Sequence, residues 1–161
     1  MSGGALPIYG ATMLVSAALL FMVQPLFARM VLPMLGGSPA VWNTTVVFYQ
    51  AVLLAGYCYA HAAPARLGRK RQVGLHALLL LLPLLVLPIG IPAGWRAPTD
   101  SNPIPWLLGL LTMTVALPFF VVSTTSPLLQ RWFASSGHRA AADPYFLYAA
   151  SNAGSMLGLL S

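Results

Sequence analysis

The chain has 161 residues, of which 58% are hydrophobic and only 6% charged, and its mean hydropathy is +0.80. Soluble proteins carry about 25% charged residues, so this composition excludes a water-covered globular domain and points to an integral membrane protein. The net charge of +6 does not imply nucleic-acid binding, because four of the eight basic residues, Arg66, Arg69, Lys70 and Arg71, share one short loop between apolar runs, a pattern that orients a membrane chain or meets anionic lipid.

Five apolar segments follow in chain order, at 8–28, 41–61, 73–92, 104–129 and 144–161. About 20 apolar residues cross a bilayer core as a helix, so the expected fold is all-α, a polytopic transmembrane helical bundle of about five spans in a single domain. The residues before the first segment carry no Lys or Arg. A secretory leader would have a basic start, and the segment reads as a retained first helix. It is expected to end at Gln24-Pro25. Beyond it, Arg29, Pro33, Gly36, Gly37 and Pro39 predict a broken interfacial stretch.

The second segment opens at Trp42 and closes with Tyr57, Tyr59 and His61, an aromatic belt at each end. It holds the single cysteine, Cys58, which can form neither an internal disulfide nor a multi-cysteine metal site. The third segment, with LLLLLPLLVLP, is the most lipid-like. The fourth carries Pro118 and then a hydroxyl patch, Ser123 to Ser126, before Pro127, where an interrupted helix is predicted. The fifth has 18 residues, barely a bilayer's width. It reads as an incomplete span or as the start of further chain.

Loop charge sets the expected orientation. The loops after the second and fourth segments hold six basic residues, against Arg29 and Arg96 on the other face. Basic loops stay inside, so the N-terminus and these loops are expected on the cytoplasmic side.

Several residues stand out for chemistry. Gln24, beside Pro25, either lines a polar cavity or satisfies backbone groups that the proline frees. Asn43 and Gln50 are seven residues apart on one helical face, suited to an interhelical hydrogen bond or to a solute contact. Ser123 and Thr124 could complete a polar cavity or relieve the Pro127 kink. Asn152, Gly154, Ser155 and Gly158 form a small-residue face, with the glycines at close-packing spacing, for another helix or a partner protein. His61 and His76 bracket the basic loop, but no acid lies near them in sequence to support a metal or haem site. Both acids, Asp100 and Asp143, sit in loops. The spans therefore hold no acid or lysine to drive a proton-coupled cycle.

A family resemblance rests on particular blocks. Val23-Gln24-Pro25-Leu26-Phe27, the run Gly36-Gly37-Ser38-Pro39-Ala40-Val41-Trp42-Asn43-Thr44, Phe48-Tyr49-Gln50, Leu117-Pro118-Phe119-Phe120, Ser126-Pro127-Leu128-Leu129-Gln130 and Pro144-Tyr145-Phe146-Leu147-Tyr148 resemble the membrane part of bacterial spermidine-synthase-like membrane proteins. That family fuses a major-facilitator-like membrane domain to a synthase-like domain. The resemblance implies a major-facilitator-like half-bundle in the bacterial inner membrane. It does not carry over polyamine synthase activity, because the chain has no Gly-rich strand-loop-helix and no Glu. The loop Ala65-Arg66-Leu67-Gly68-Arg69-Lys70-Arg71 is similar to a major-facilitator cytoplasmic loop, with Ala65 where an acid usually stands.

The expected role is a non-catalytic membrane module, an accessory or anchoring subunit of a larger membrane assembly. It would need no cofactor or metal, and its partners would be the lipid bilayer and other membrane subunits. The alternatives are a transporter-like half-bundle for a small polar or cationic solute such as a polyamine, and the membrane part of a polyamine-synthase-like enzyme.

Overall fold

The computed structural model describes residues 5–99 and 101–161, and among them it has six α-helices, two 3-10 turns and no strand. The helices are α1 (Ala5–Leu35), α2 (Pro39–Arg66), α3 (Arg69–Leu81), α4 (Pro103–Thr114), α5 (Ala116–Ala134) and α6 (Tyr145–Leu160). Long apolar runs away from water can satisfy their backbone only within the helix, which is why these segments take this form.

Two helices, Leu6–Leu35 and Pro39–Arg66, are long and apolar enough to cross a membrane, and α4 with α5 makes a third if that bent pair is one span. Their outer faces are oily. Val15 and Leu19 on α1, Val47 and Leu54 on α2, and Leu157 and Leu160 on α6 are all exposed. Water would not tolerate so continuous an apolar surface.

The helix boundaries differ from expectation at three places. Helix α1 does not end at Pro25. It runs through Pro25 and Pro33 to Leu35, a length of about 46 Å at 1.5 Å per residue. Its true stop is Gly36, whose φ of 69° caps the helix while its N–H bonds the Leu32 carbonyl at 2.9 Å. Ser38 then starts α2, accepting from the Val41 N–H at 3.4 Å, with Pro39 in the first turn. The Gly36–Pro39 block is thus a tight stop-and-start between two helices, not a broken interfacial stretch.

The third segment is helical only to Leu81. A 3-10 turn at Leu82–Leu85 follows, and residues 86–99 and 101–102 are irregular. Pro83 and Pro88 remove the N–H groups that would have continued the helix. The fourth segment is not broken at Pro127, where α5 is continuous. It is broken at Val115, where α4 and α5 meet at 59°. Pro118 cannot donate to the Thr114 carbonyl and crowds it, so α4 ends on that residue.

Two apolar cores hold the bundle. One, at the end opposite the basic loops, gathers Phe27 and Val31 of α1, Tyr49 of α2, Leu107 and Leu111 of α4, and Phe119 of α5. The other, at the basic end, joins Met13 of α1, Phe133 of α5 and Leu147 of α6, with Tyr9 tilted and Phe146 edge-on against Phe133 at ring-centre distances of 5.2 and 5.3 Å. Between the cores lies a layer of small and polar residues.

Candidate functional site: a polar layer between two cores

The layer is built where backbones come close. Gly154 and Gly158 of α6 are buried against α1. A Cβ at Gly154 would strike the Leu14 carbonyl, and one at Gly158 the Ala18 carbonyl. Gly56 of α2 faces α5 in the same way, with Ser123 Oγ and the Phe120 carbonyl against it. Ser16 of α1 adds a cross-link, donating to the Val122 carbonyl of α5 at 3.3 Å.

Between α1, α2, α5 and α6 this layer borders an open-sided cavity of about 400 Å³, with Tyr57 exposed at its rim. Its polar lining comes from Tyr57 of α2, Ser123, Ser126 and Gln130 of α5, and Ser151 and Ser155 of α6. Two of these hydroxyls are committed to their own helices: Ser123 donates to Phe120 O at 2.7 Å and Ser155 to Ser151 O at 2.9 Å. Tyr57, Ser126, Gln130 and the Ser151 hydroxyl have no side-chain hydrogen bond within the described protein. No acidic or basic side chain lines the cavity. A second chamber shares Pro127 and Gln130 with it and extends to Arg131 and Pro144 at the basic end.

The structure does not gather the expected polar set of Gln24, Asn43, Gln50, Ser123 and Thr124 into one place. Only Ser123 lines the cavity. Gln24 borders a separate, largely apolar pocket beside Pro25, Trp42 and Tyr49. Thr124 is fully buried and donates to Val121 O at 2.7 Å. Asn43 and Gln50 are exposed on the outward side of α2. There they align with Val47, Leu54, Tyr57 and His61, all exposed, at the four- and three-residue spacing of one helical stripe.

The small-residue face of α6 divides in the same manner. Gly154 and Gly158 are used within the chain, against α1, so they are not open to a partner. Asn152 is exposed and Ser155 turns to the cavity. Ser126 belongs to the hydroxyl patch and Tyr57 to the aromatic belt read from the sequence, but Gln130 and Ser151 were not singled out as polar-cavity residues, though the signal existed: Ser123, Ser126 and Gln130 are three and four apart, and Ser151 and Ser155 four apart, each set on one helical face.

The basic loop forms a clamp. The link between α2 and α3 is only Leu67-Gly68, with Gly68 in an extended conformation that any residue adopts. Arg69 donates to the carbonyls of Trp132 and Ser135 at 3.2 and 3.3 Å, which ties this loop to the end of α5. Gln72 receives the Trp132 indole N–H at 3.2 Å and donates to the Leu67 carbonyl. Arg66, Lys70 and Arg71 stay exposed.

His76 is buried beside this clamp, its Nε2 3.3 Å from Thr125 Oγ1 and its ring edge-on to Trp132. Its Nδ1 has no partner, so the imidazole lacks the orienting group of a nucleophile–base–acid set. His61 is exposed rather than paired with it. Among the described residues no three His, Cys, Asp or Glu side chains cluster. Asp143 accepts from the Tyr145 N–H at 3.4 Å at the start of α6, and Asp100 lies outside the described residues. Comparison of the chain with known protein families, with curated proteins and with solved structures gives no match.

Proposed function

We propose that the chain is a non-catalytic, multi-pass module of the bacterial inner membrane that serves as an accessory or anchoring subunit in a larger membrane assembly. The observation that carries this reading is the outward stripe of α2. Asn43 and Gln50 are amides on the exposed face of a helix long and apolar enough to span. An amide facing lipid leaves its hydrogen bonds unmade, at a cost of about 2–7 kcal/mol in an apolar medium. A neighbouring helix presenting amides or hydroxyls at the same heptad spacing removes that cost and packs around Val47 and Leu54.

The finer topology belongs to this proposal. Five crossings are α1, α2, α3 with its 3-10 turn, the bent pair α4–α5, and α6. The 13 residues of α3 and 4 of the turn reach about 28 Å, close to the roughly 30 Å of a bilayer core. The basic loops lie in the cytoplasm with the N-terminus. The likeness to the membrane part of spermidine-synthase-like membrane proteins supports the anchoring version of the role, with a synthase-like domain elsewhere in the assembly.

Photo-crosslinking in native membranes tests the docking face. A probe at Val47, Gln50 or Leu54 is expected to give one discrete protein adduct, and Gln50→Leu to weaken it. Probes at Val15 and Leu19, on the oily side of α1, are expected to label lipid. Lipid labelling alone from all five positions would overturn the reading.

A further inference from the structure

We infer that the cavity between the two cores is a binding site for a small, neutral polyol. It sits near mid-length of α1 and α6, since Leu20, Ser151 and Ser155 are central in their helices, and reaches Tyr57 in the second half of α2. In membrane bundles such mid-depth cavities are where solutes are held. The volume of about 400 Å³ falls within the range of small-molecule sites.

The chemistry of the lining selects the ligand. Ser123 and Ser155 have spent their protons on backbone carbonyls and offer lone pairs only. Ser126, Ser151 and Tyr57 can each donate or accept, and the Gln130 amide brings two donors and an acceptor. A guest must therefore both donate and accept at several points. Ammonium groups donate only, and phosphates and carboxylates chiefly accept. A cation would also need a counter-charge, and among the described residues no carboxylate lines the cavity. This argues against a polyamine as guest. An apolar guest would displace water from the half-buried Ser126, Gln130 and Ser151 without replacing its hydrogen bonds. Hydroxyls on neighbouring carbons meet every requirement. Leu20, Phe21 and Leu53 give the apolar wall against which the carbon skeleton rests. The adjoining chamber past Gln130 supplies a way in from the basic end.

Equilibrium binding to the full chain in lipid nanodiscs tests this, with radiolabelled myo-inositol and glycerol as polyol probes and spermidine and inorganic phosphate as charged ones. Saturable binding of a polyol is expected, with none for the charged probes. Gln130→Leu should weaken it about tenfold, the loss of one neutral hydrogen bond. Ser151→Ala, a change too small to unfold α6, should weaken it in the same direction. As a readout free of affinity, Ser126→Cys in a Cys58→Ala background should react more slowly with maleimide when myo-inositol is present. A chain that binds neither polyol, prefers spermidine or phosphate, or binds polyol equally well after both substitutions, overturns the proposal.

Discussion

Gly154 and Gly10 are both helical glycines at the α1–α6 contact, yet they are not equivalent. A Cβ at Gly10 would meet only the edge of Phe146 at 4.0 Å, an ordinary contact. A Cβ at Gly154 would run into the backbone of Leu14, which cannot turn aside as a side chain can. Gly10→Ala should therefore raise stability by about 0.5–1 kcal/mol through helix propensity. Gly154→Ala should lower it by about 1–3 kcal/mol through forced separation of α1 and α6. Thermal unfolding of the two variants in one detergent checks the opposite signs, and equal shifts would show that the helices do not touch at Gly154. The spacing of Gly154 and Gly158 was legible in the sequence as a packing face. Gly56 was not, because a lone glycine in an apolar run gives no hint that Ser123, far away in the chain, lies against it.

Helix α4 meets α5 at a corner with two candidate causes. Pro118 deprives Thr114 of its helical donor, while Leu107, Leu111, Val115 and Phe119 pack into the core on the inside of the bend. Pro118→Ala separates them. If the proline sets the angle, the variant straightens from 59°, and spin labels at Leu108 and Ala134 move apart by about 4 Å at the standard rise per residue. An unchanged separation would assign the corner to packing. Prolines explain where the sequence reading of elements succeeded and failed. Pro25, Pro33 and Pro127 are carried inside helices, whereas Pro83 and Pro118 mark ends. The residue type alone could not tell these cases apart. At Pro127 the carbonyl that loses its donor is that of Ser123, and α5 continues through it where a break was expected; the hydroxyls of Ser123, Thr124 and Thr125 bond the Phe120 and Val121 carbonyls instead.

At the scale of the molecule, helical class and membrane character were readable from composition, and the two longest helices fall on predicted segments. What was not readable is how α3 lies. Its inward face carries Gln72 and His76, both buried, while Leu78, Leu81 and Leu85 are exposed, so its apolar run faces outward and its polar residues hold the clamp. Cysteines placed one at a time in a Cys58→Ala chain test the whole arrangement. Lys70→Cys should react with an impermeant maleimide from the cytoplasmic side, Asn102→Cys from the opposite side, and Leu85→Cys from neither. Reaction of Lys70→Cys and Asn102→Cys from one side would invalidate the crossing pattern. The short turn at Gly36 has a bearing on biosynthesis. With three residues joining α1 to α2, the start of α2 is tied to the end of α1 as soon as both have been made. The face of α1 that receives Gly154 and Gly158 stays uncovered until α6 has been synthesised.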